Sequence, residues 1–157
     1  MELTASAGHL DGVTVPLGDG ALLAGIGAAI RHLAPQTEII GVVAEEAPAL
    51  QLSLAAGRLI ETPDSDTIAD GIAARVPVPE ALALLEGLYD SIVAVTEAQI
   101  VNGMRLAHQH LGLVIEPAGA VGLAAIAADP HRFRGKRIAT ILTGSNISDA
   151  MRQRLLG

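Results

Sequence analysis

Apolar positions along the chain alternate between short β-branched runs and longer blocks with helical spacing, and the order of the two predicts the architecture. Gly12-Val13-Thr14-Val15-Pro16-Leu17 reads as a strand that ends at Gly18-Asp19-Gly20, and Ala21 to Leu33 then reads as a helix. Glu38-Ile39-Ile40-Gly41-Val42-Val43 follows the Pro35 break as a second strand, and Glu45 to Ala56 reads as a second helix closed by Gly57. This βαβα order implies a parallel sheet. Periodicity fades from Arg58 to Pro79, a stretch rich in Asp, Thr, Gly and Pro that reads as a long loop with one short helix. A helix at Glu80 to Leu88, a strand at Ser91-Ile92-Val93-Ala94-Val95 and a helix from Thr96 through His110 come next. Thr96 and Gln99 have the spacing of a capping box. After an apolar link, Leu113-Val114-Ile115, the small-residue block Pro117 to Ala128 predicts a helix able to pack closely on its neighbours. A last strand, Arg137 to Leu142, runs into Thr143-Gly144-Ser145-Asn146, and Asp149 to Leu156 reads as a short closing helix. The whole, residues 1–157, is expected to be one α/β unit with a mostly parallel sheet flanked by helices.

Composition narrows the function classes. The chain has 157 residues, half of them hydrophobic, but Tyr89 and Phe133 are its only aromatic residues, so the core must be built from Ala, Leu, Ile and Val. With Lys+Arg 10 against Asp+Glu 17 the formal charge is −7. That field repels polyanions, and base stacking lacks its rings, so nucleic acid is excluded as a partner. The longest apolar stretch, Pro117 to Ala128, falls short of the roughly 18 residues of a membrane helix. Met1-Glu2-Leu3-Thr4 has no basic region before an apolar one, so no secretory signal is expected. The absence of cysteine suits a cytoplasmic protein and removes thiolate chemistry.

Few polar groups stand at chemically telling spacings. The turn Gly18-Asp19-Gly20 after a strand can aim backbone N–H groups and a helix N-terminus at an anion, although it lacks the Lys of a Walker loop, and Leu23 breaks a dinucleotide fingerprint. A tight βα turn is the alternative, and the Asp19 carboxylate opposes an anion unless it turns outward. Thr143-Gly144-Ser145-Asn146 lies after another strand, at the same expected sheet edge, where open parallel sheets bind ligands. His108 and His110, two apart, point to different helix faces and read as solvated or capping residues. Asp64, Asp66 and Asp70 lack the calcium-loop pattern and read as a solvated acidic loop, and Glu45 and Glu46 read as helix N-terminal charges. Glu116, between an apolar strand and Pro117, is expected near buried surface or as a helix cap.

Four segments in order, Val15-Pro16-Leu17-Gly18-Asp19-Gly20-Ala21-Leu22, Asp66-Thr67-Ile68-Ala69-Asp70-Gly71-Ile72-Ala73, Glu116-Pro117-Ala118-Gly119-Ala120 and Thr143-Gly144-Ser145-Asn146, resemble successive motifs of the threonine/serine dehydratases. These are pyridoxal-phosphate enzymes of the tryptophan synthase β-like fold, and the resemblance runs from about Asp11 to Asn146. It implies a partial large domain of that fold. It implies that the amides of Gly18, Asp19, Gly20, Ala21 and Leu22 hold the cofactor phosphate, where dehydratases usually have four consecutive glycines. It also places Glu116 at the cofactor and Thr143 as the hydroxyl partner of the pyridine nitrogen. A neutral partner leaves that nitrogen unprotonated, which suits rapid β-elimination. Where dehydratases carry a metal-binding acid this chain has Val43, so no metal site of that type is expected.

The resemblance covers only the second half of a dehydratase catalytic domain. The Ser-x-x-Lys segment with the Schiff-base lysine and the loop for the substrate carboxylate belong to the other half. Of ten cations nine are arginine, and the single lysine, Lys136, is expected at the strand edge opposite the glycine turns. No catalytic residue is therefore assigned, and the chain alone is expected not to turn over an amino-acid substrate. Three roles follow: half of a split or truncated ammonia-lyase completed by a lysine-bearing chain, a non-catalytic ligand-binding module, or a structural remnant. Surfaces that the missing half would cover favour self-association, so a homo-oligomer or a complex with a complementary chain is expected.

Overall fold

A computed structural model describes residues 6–157, so the leader reading at Met1 to Thr4 lies outside the described residues. Four parallel strands, β1 (Gly12–Pro16), β2 (Glu38–Ala44), β3 (Ser91–Val95) and β4 (Ile138–Thr140), form one sheet in the order β3-β2-β1-β4. The registers are Val13↔Ile39, Val42↔Val93 and Thr14↔Thr140. The helices are α1 (Ala21–Leu33), α2 (Ala49–Ala56), α3 (Glu80–Leu85), α4 (Glu97–Leu111), α5 (Pro117–Ala128), α6 (Pro130–Phe133) and α7 (Asp149–Leu156), with a 3-10 turn at Asp70–Ile72. The α/β class and the parallel sheet flanked by helices agree with the sequence pattern.

Burial on both faces explains the near-continuous apolar strands. Val13 and Val15 of β1 and Ile39 and Val43 of β2 point to the side covered by Leu23 and Ile30 of α1, Leu50 of α2 and Leu85 of α3. Val42 and Ala44 point to the other side, against Val121 and Ala124 of α5 and Ile100 of α4. Small residues set the second layer's thickness. A Cβ on Gly103 of α4 would lie 2.8 Å from the Ala120 carbonyl oxygen, so the two helices pack backbone to backbone, as the Ala/Gly block predicts. Gly122 of α5 sits directly over Thr14 and Thr140, and the hydroxyls of both threonines are buried without a hydrogen-bond partner.

The capping box of α4 is formed: Gln99 N–H donates to Thr96 Oγ1 at 3.2 Å and Thr96 N–H donates to Gln99 Oε1 at 2.8 Å. Other boundaries shift for identifiable reasons. The second helix starts at Ala49 rather than Glu45, because Pro48 disfavours helical backbone at the residue before it and takes the N-cap position instead. Glu45 and Glu46 consequently occupy an exposed turn and are not helix N-terminal charges. The third helix ends at Leu85, with Gly87 in left-handed backbone just beyond. The short helix α6 is an addition to the pattern, begun by Asp129, whose Oδ1 accepts the Arg132 N–H at 3.1 Å, and by Pro130 in its first turn.

Strand β4 is three residues long, not the six of Arg137 to Leu142. Successive β1 amides face alternate neighbours, and Leu17 N–H donates to Val42 O on the β2 side at 2.8 Å. The amide at position 16 therefore faces β4, and proline has none to give. The ladder ends after Ile141 N–H reaches Thr14 O at 3.4 Å, and the chain from Leu142 onward is released from the sheet. No described helix is long and apolar enough to cross a membrane.

Candidate cofactor site

With the order β3-β2-β1-β4, the chain leaves β1 towards β2 on one side while β4 is added on the other. The carboxyl ends of β1 and β4 thus flank a topological switch point, the place where open parallel sheets bind ligands. Both polar glycine turns open there. A cavity of about 220 Å³ lies between them, lined by Pro16, Gly18, Asp19, Gly20, Leu22, Gly71, Ile72, Glu116, Ala118 and Thr143. Two grooves, of about 580 and 600 Å³, are larger. They lie at α4 and α7 and between α2 and α3, away from the strand ends and their converging backbone donors, so the smaller cavity is the stronger candidate.

The first wall is the turn from β1 to α1. Gly20 has φ 99° and is the N-cap residue of α1, a backbone state open to glycine and costly for other residues. Gly18 is required by proximity, since a Cβ there would stand 2.9 Å from Ile72 Cα. The turn thus stands at the N-terminus of α1, where backbone N–H groups are left without helical partners. The Asp19 carboxylate does not turn fully outward. Its Oδ1 accepts the Ala21 N–H at 3.0 Å, so one donor of the turn is held by an internal anion. Ala21 is accordingly the one residue of the predicted set that does not line the cavity.

Glu116 and the loop after β4 form the opposite wall. Glu116 takes the N-cap position of α5 with extended backbone, but its carboxylate does not cap that helix. Instead Oε2 accepts the Asn146 N–H at 3.0 Å, while the Glu116 N–H donates to Gly144 O at 3.0 Å. A Cβ on Gly144 would collide with the carboxylate, and one on Gly119 would lie 3.2 Å from Thr143 N. These contacts hold Thr143 at the cavity rim, where it is exposed.

The third wall, Gly71 and Ile72, belongs to a motif the sequence displays but spacing alone does not assign to the site. A Cβ on Gly71 would stand 2.9 Å from the Ala118 methyl. The Asp-Gly pair inside an aperiodic stretch was the available signal. Asp64, Asp66 and Asp70 are exposed along this segment, and among the described residues no group of three or more His, Asp or Glu is arranged to hold a metal ion. Val43 is buried in the core. His108 and His110 are exposed in the last turn of α4.

Charge perturbations lie at the other edge of the sheet. Burial alone would raise the Asp90 carboxyl, but the Ile39 N–H at 2.7 Å and the Arg31 guanidinium at 2.8 Å hold it below the ordinary range. The Arg137 N–H, at 2.7 Å, and His9 do the same for Asp11. Lys136 precedes β4, with Nζ 3.7 Å from Glu38 at the amino end of β2. That is the end of the parallel sheet opposite the cavity, where the sequence places it.

Known proteins share this fold. Residues 1–144 match the sequence model of the family described as "Pyridoxal-phosphate dependent enzyme". The chain is similar to the L-threonine ammonia-lyase of Thermotoga maritima, 33% identical over 99% of this chain and 39% of the relative. Its fold superposes on the crystal structure of a T.th. threonine deaminase with TM-score 0.87 at 33% identity, covering 94% of this chain and 55% of that one. For the processed threonine deaminase isoform 2 of Solanum lycopersicum the TM-score is 0.92 at 28% identity, covering 98% and 46%. The chain spans less than half the length of the curated relatives compared with it. The family match and the superposed fold agree: this chain belongs to the pyridoxal-phosphate dependent enzyme family, with the tryptophan synthase β-like fold of the threonine dehydratases.

Proposed function

We propose that this chain carries the phosphate cradle and the pyridine-nitrogen partner of a dehydratase-type ammonia-lyase site and takes its Schiff-base lysine from a segment outside these 157 residues. The observation that supports this most is the glycine turn Gly18–Gly20 meeting Thr143 across one cavity at the switch point. Amides of Gly18, Asp19, Gly20 and Leu22, with Ala21 once its N–H is released by Asp19, bind the phosphate dianion, aided by the positive end of α1. The Thr143 hydroxyl donates to the ring nitrogen without protonating it, and Glu116 fixes the loop that carries Thr143. When bound, pyridoxal phosphate supplies an electron sink for loss of an amino acid α-proton and departure of a β-hydroxyl. The lysine base for that proton is absent from this cavity's walls, and Lys136 stands at the opposite end of the strands.

The substrate of the completed site is a small hydroxy amino acid of the threonine or serine class, in a cytoplasmic setting. Completion requires a segment that carries the lysine, which a second copy of this chain, with Lys136 alone, does not supply. Among the described residues strand β4 is paired on one side only and Ile138, Ala139 and Thr140 are half-buried, an open edge that invites a complementary chain or a second copy. Sedimentation is expected to show a dimer or larger species, and a stable monomer at working concentration contradicts that part of the proposal.

The test is a pyridoxal-phosphate titration followed by absorbance and fluorescence, then borohydride reduction and peptide mapping. Saturable binding without a side-chain adduct supports the proposal. A stoichiometric adduct at Lys136 overturns it, and absence of binding leaves the chain without a retained cofactor site.

A further inference from the structure

The wall formed by Gly71 and Ile72 lies in a stretch, 58–79, with little regular structure, yet Ala69 is fully buried and Ile72 is 6% exposed. One carboxylate on a neighbouring helix accounts for its placement. Glu97, first residue of α4, accepts the Thr67 hydroxyl on Oε1 at 2.6 Å and the Ile68 N–H on Oε2 at 2.9 Å. The Thr67 hydroxyl in turn accepts the Ala69 N–H at 3.1 Å. Thr67 and Ile68 are thus tied directly to the rigid start of a capped helix, and Ala69 is tied to Thr67.

The tied segment runs straight into the site. Within five residues of Thr67 it presents Gly71 to the Ala118 methyl and Ile72 Cα to Gly18, both at distances that admit no added Cβ. The position of Ile72 therefore sets how much room remains above the Gly18–Gly20 amides. We propose that Glu97 is a positioning residue: its two-oxygen clamp holds the 67–72 strap as the roof of the phosphate turn, without touching the ligand. The role rests on the cofactor reading above for its purpose, but the clamp is a property of the ligand-free chain. The same chemistry makes the clamp sensitive to substitution. A carboxylate offers an oxygen to each donor, an amide offers one oxygen and a weaker second contact, and alanine offers neither.

The experiment compares the full chain with Glu97→Ala, Glu97→Gln and Thr67→Val, the last removing the Oε1 contact from the strap side while leaving the Ile68 N–H on Oε2 and α4 untouched. Amide hydrogen exchange is read in the absence of ligand, and pyridoxal phosphate and inorganic phosphate are the binding probes. In Glu97→Ala, exchange at Ile68, Ala69, Ile72 and the Gly18–Gly20 turn is expected to rise about tenfold or more, with a smaller rise in Thr67→Val and with β2 and α5 unchanged. Affinity for both probes is expected to fall about tenfold, with Glu97→Gln intermediate. A general structural role would instead speed exchange throughout α4 and α5. Unchanged exchange at 67–72, a strap released without change at Gly18–Gly20, or a released strap with unaltered phosphate affinity each overturns the proposal. If the unaltered chain binds neither probe, the cofactor reading fails, and the clamp still stands or falls on exchange at the strap and the turn.

Discussion

Asp19 is the feature that most separates this turn from an all-glycine cradle, and its effect can be sized. Its Oδ1 sits 3.0 Å from Ala21 N, and a phosphate oxygen bound by that amide would sit at a similar distance, so the two anions would lie within about 6 Å of each other. In the solvent-rich setting of an exposed residue, repulsion at that range is about 1 kcal/mol per pair of unit charges, and somewhat more against a dianion. Asp19→Asn keeps an acceptor for the Ala21 N–H and removes the charge, so it is expected to tighten phosphate and pyridoxal-phosphate binding about tenfold. Asp19→Gly also frees the N–H, but glycine costs about 1 kcal/mol in chain entropy, and the two variants should agree within about threefold. Isothermal calorimetry with inorganic phosphate and pyridoxal phosphate measures both. Raising ionic strength from about 0.01 M to about 1 M should shrink the gap between wild type and Asp19→Asn, because exposed charges are screened. Equal or weaker binding by Asp19→Asn, at low salt, refutes the reasoning.

Other outcomes follow from single contacts. Gly18→Ala drives a methyl group to 2.9 Å from Ile72 Cα, so it should weaken phosphate binding at least tenfold by calorimetry and lower the urea midpoint as well, since Ile72 belongs to the packed core. Thr14→Val replaces a fully buried, unpartnered hydroxyl with a methyl group of the same shape and should raise stability by about 1 kcal/mol in urea unfolding; a loss of stability would mean the hydroxyl has a partner. The Asp90 carboxyl is held low when folded, so its contribution is present above its unfolded pKa and is lost as pH falls through the folded one. Asp90→Asn should therefore flatten the fall in stability between roughly pH 5 and pH 2, by a modest amount because the pair with Arg31 is partly exposed.

Local signals carried much of this fold. The strand at Ser91–Val95 and the helices at Ala21–Leu33, Pro117–Ala128 and Asp149–Leu156 begin and end where periodicity, proline and capping residues put them. The misses have backbone causes. Pro48 shortens a helix whose apolar pattern continues backwards through it, and Pro16 ends a ladder on a neighbouring strand, an effect invisible until the order β1-β4 is known. The site divides in the same way. Gly18, Asp19, Gly20, Leu22, Glu116 and Thr143 were legible as ordered motifs and do line one cavity. Gly71 and Ile72 were visible as a motif without a place, and Glu97 gave no signal, because a carboxylate in the first turn of a helix looks like an ordinary helix-dipole charge. Its partners are about thirty residues away and meet it only in the folded chain.

The central claim is that the Gly18–Leu22 turn receives the phosphate of pyridoxal phosphate, and amide NMR of the labelled chain tests it most directly. Saturating pyridoxal phosphate is expected to shift the amides of Gly18, Asp19, Gly20, Ala21 and Leu22, with smaller shifts at Gly144 and Asn146, and to leave Lys136 and Arg137 unmoved. Inorganic phosphate should shift the first group alone. Shifts centred on Lys136, or none at the turn, would contradict the account.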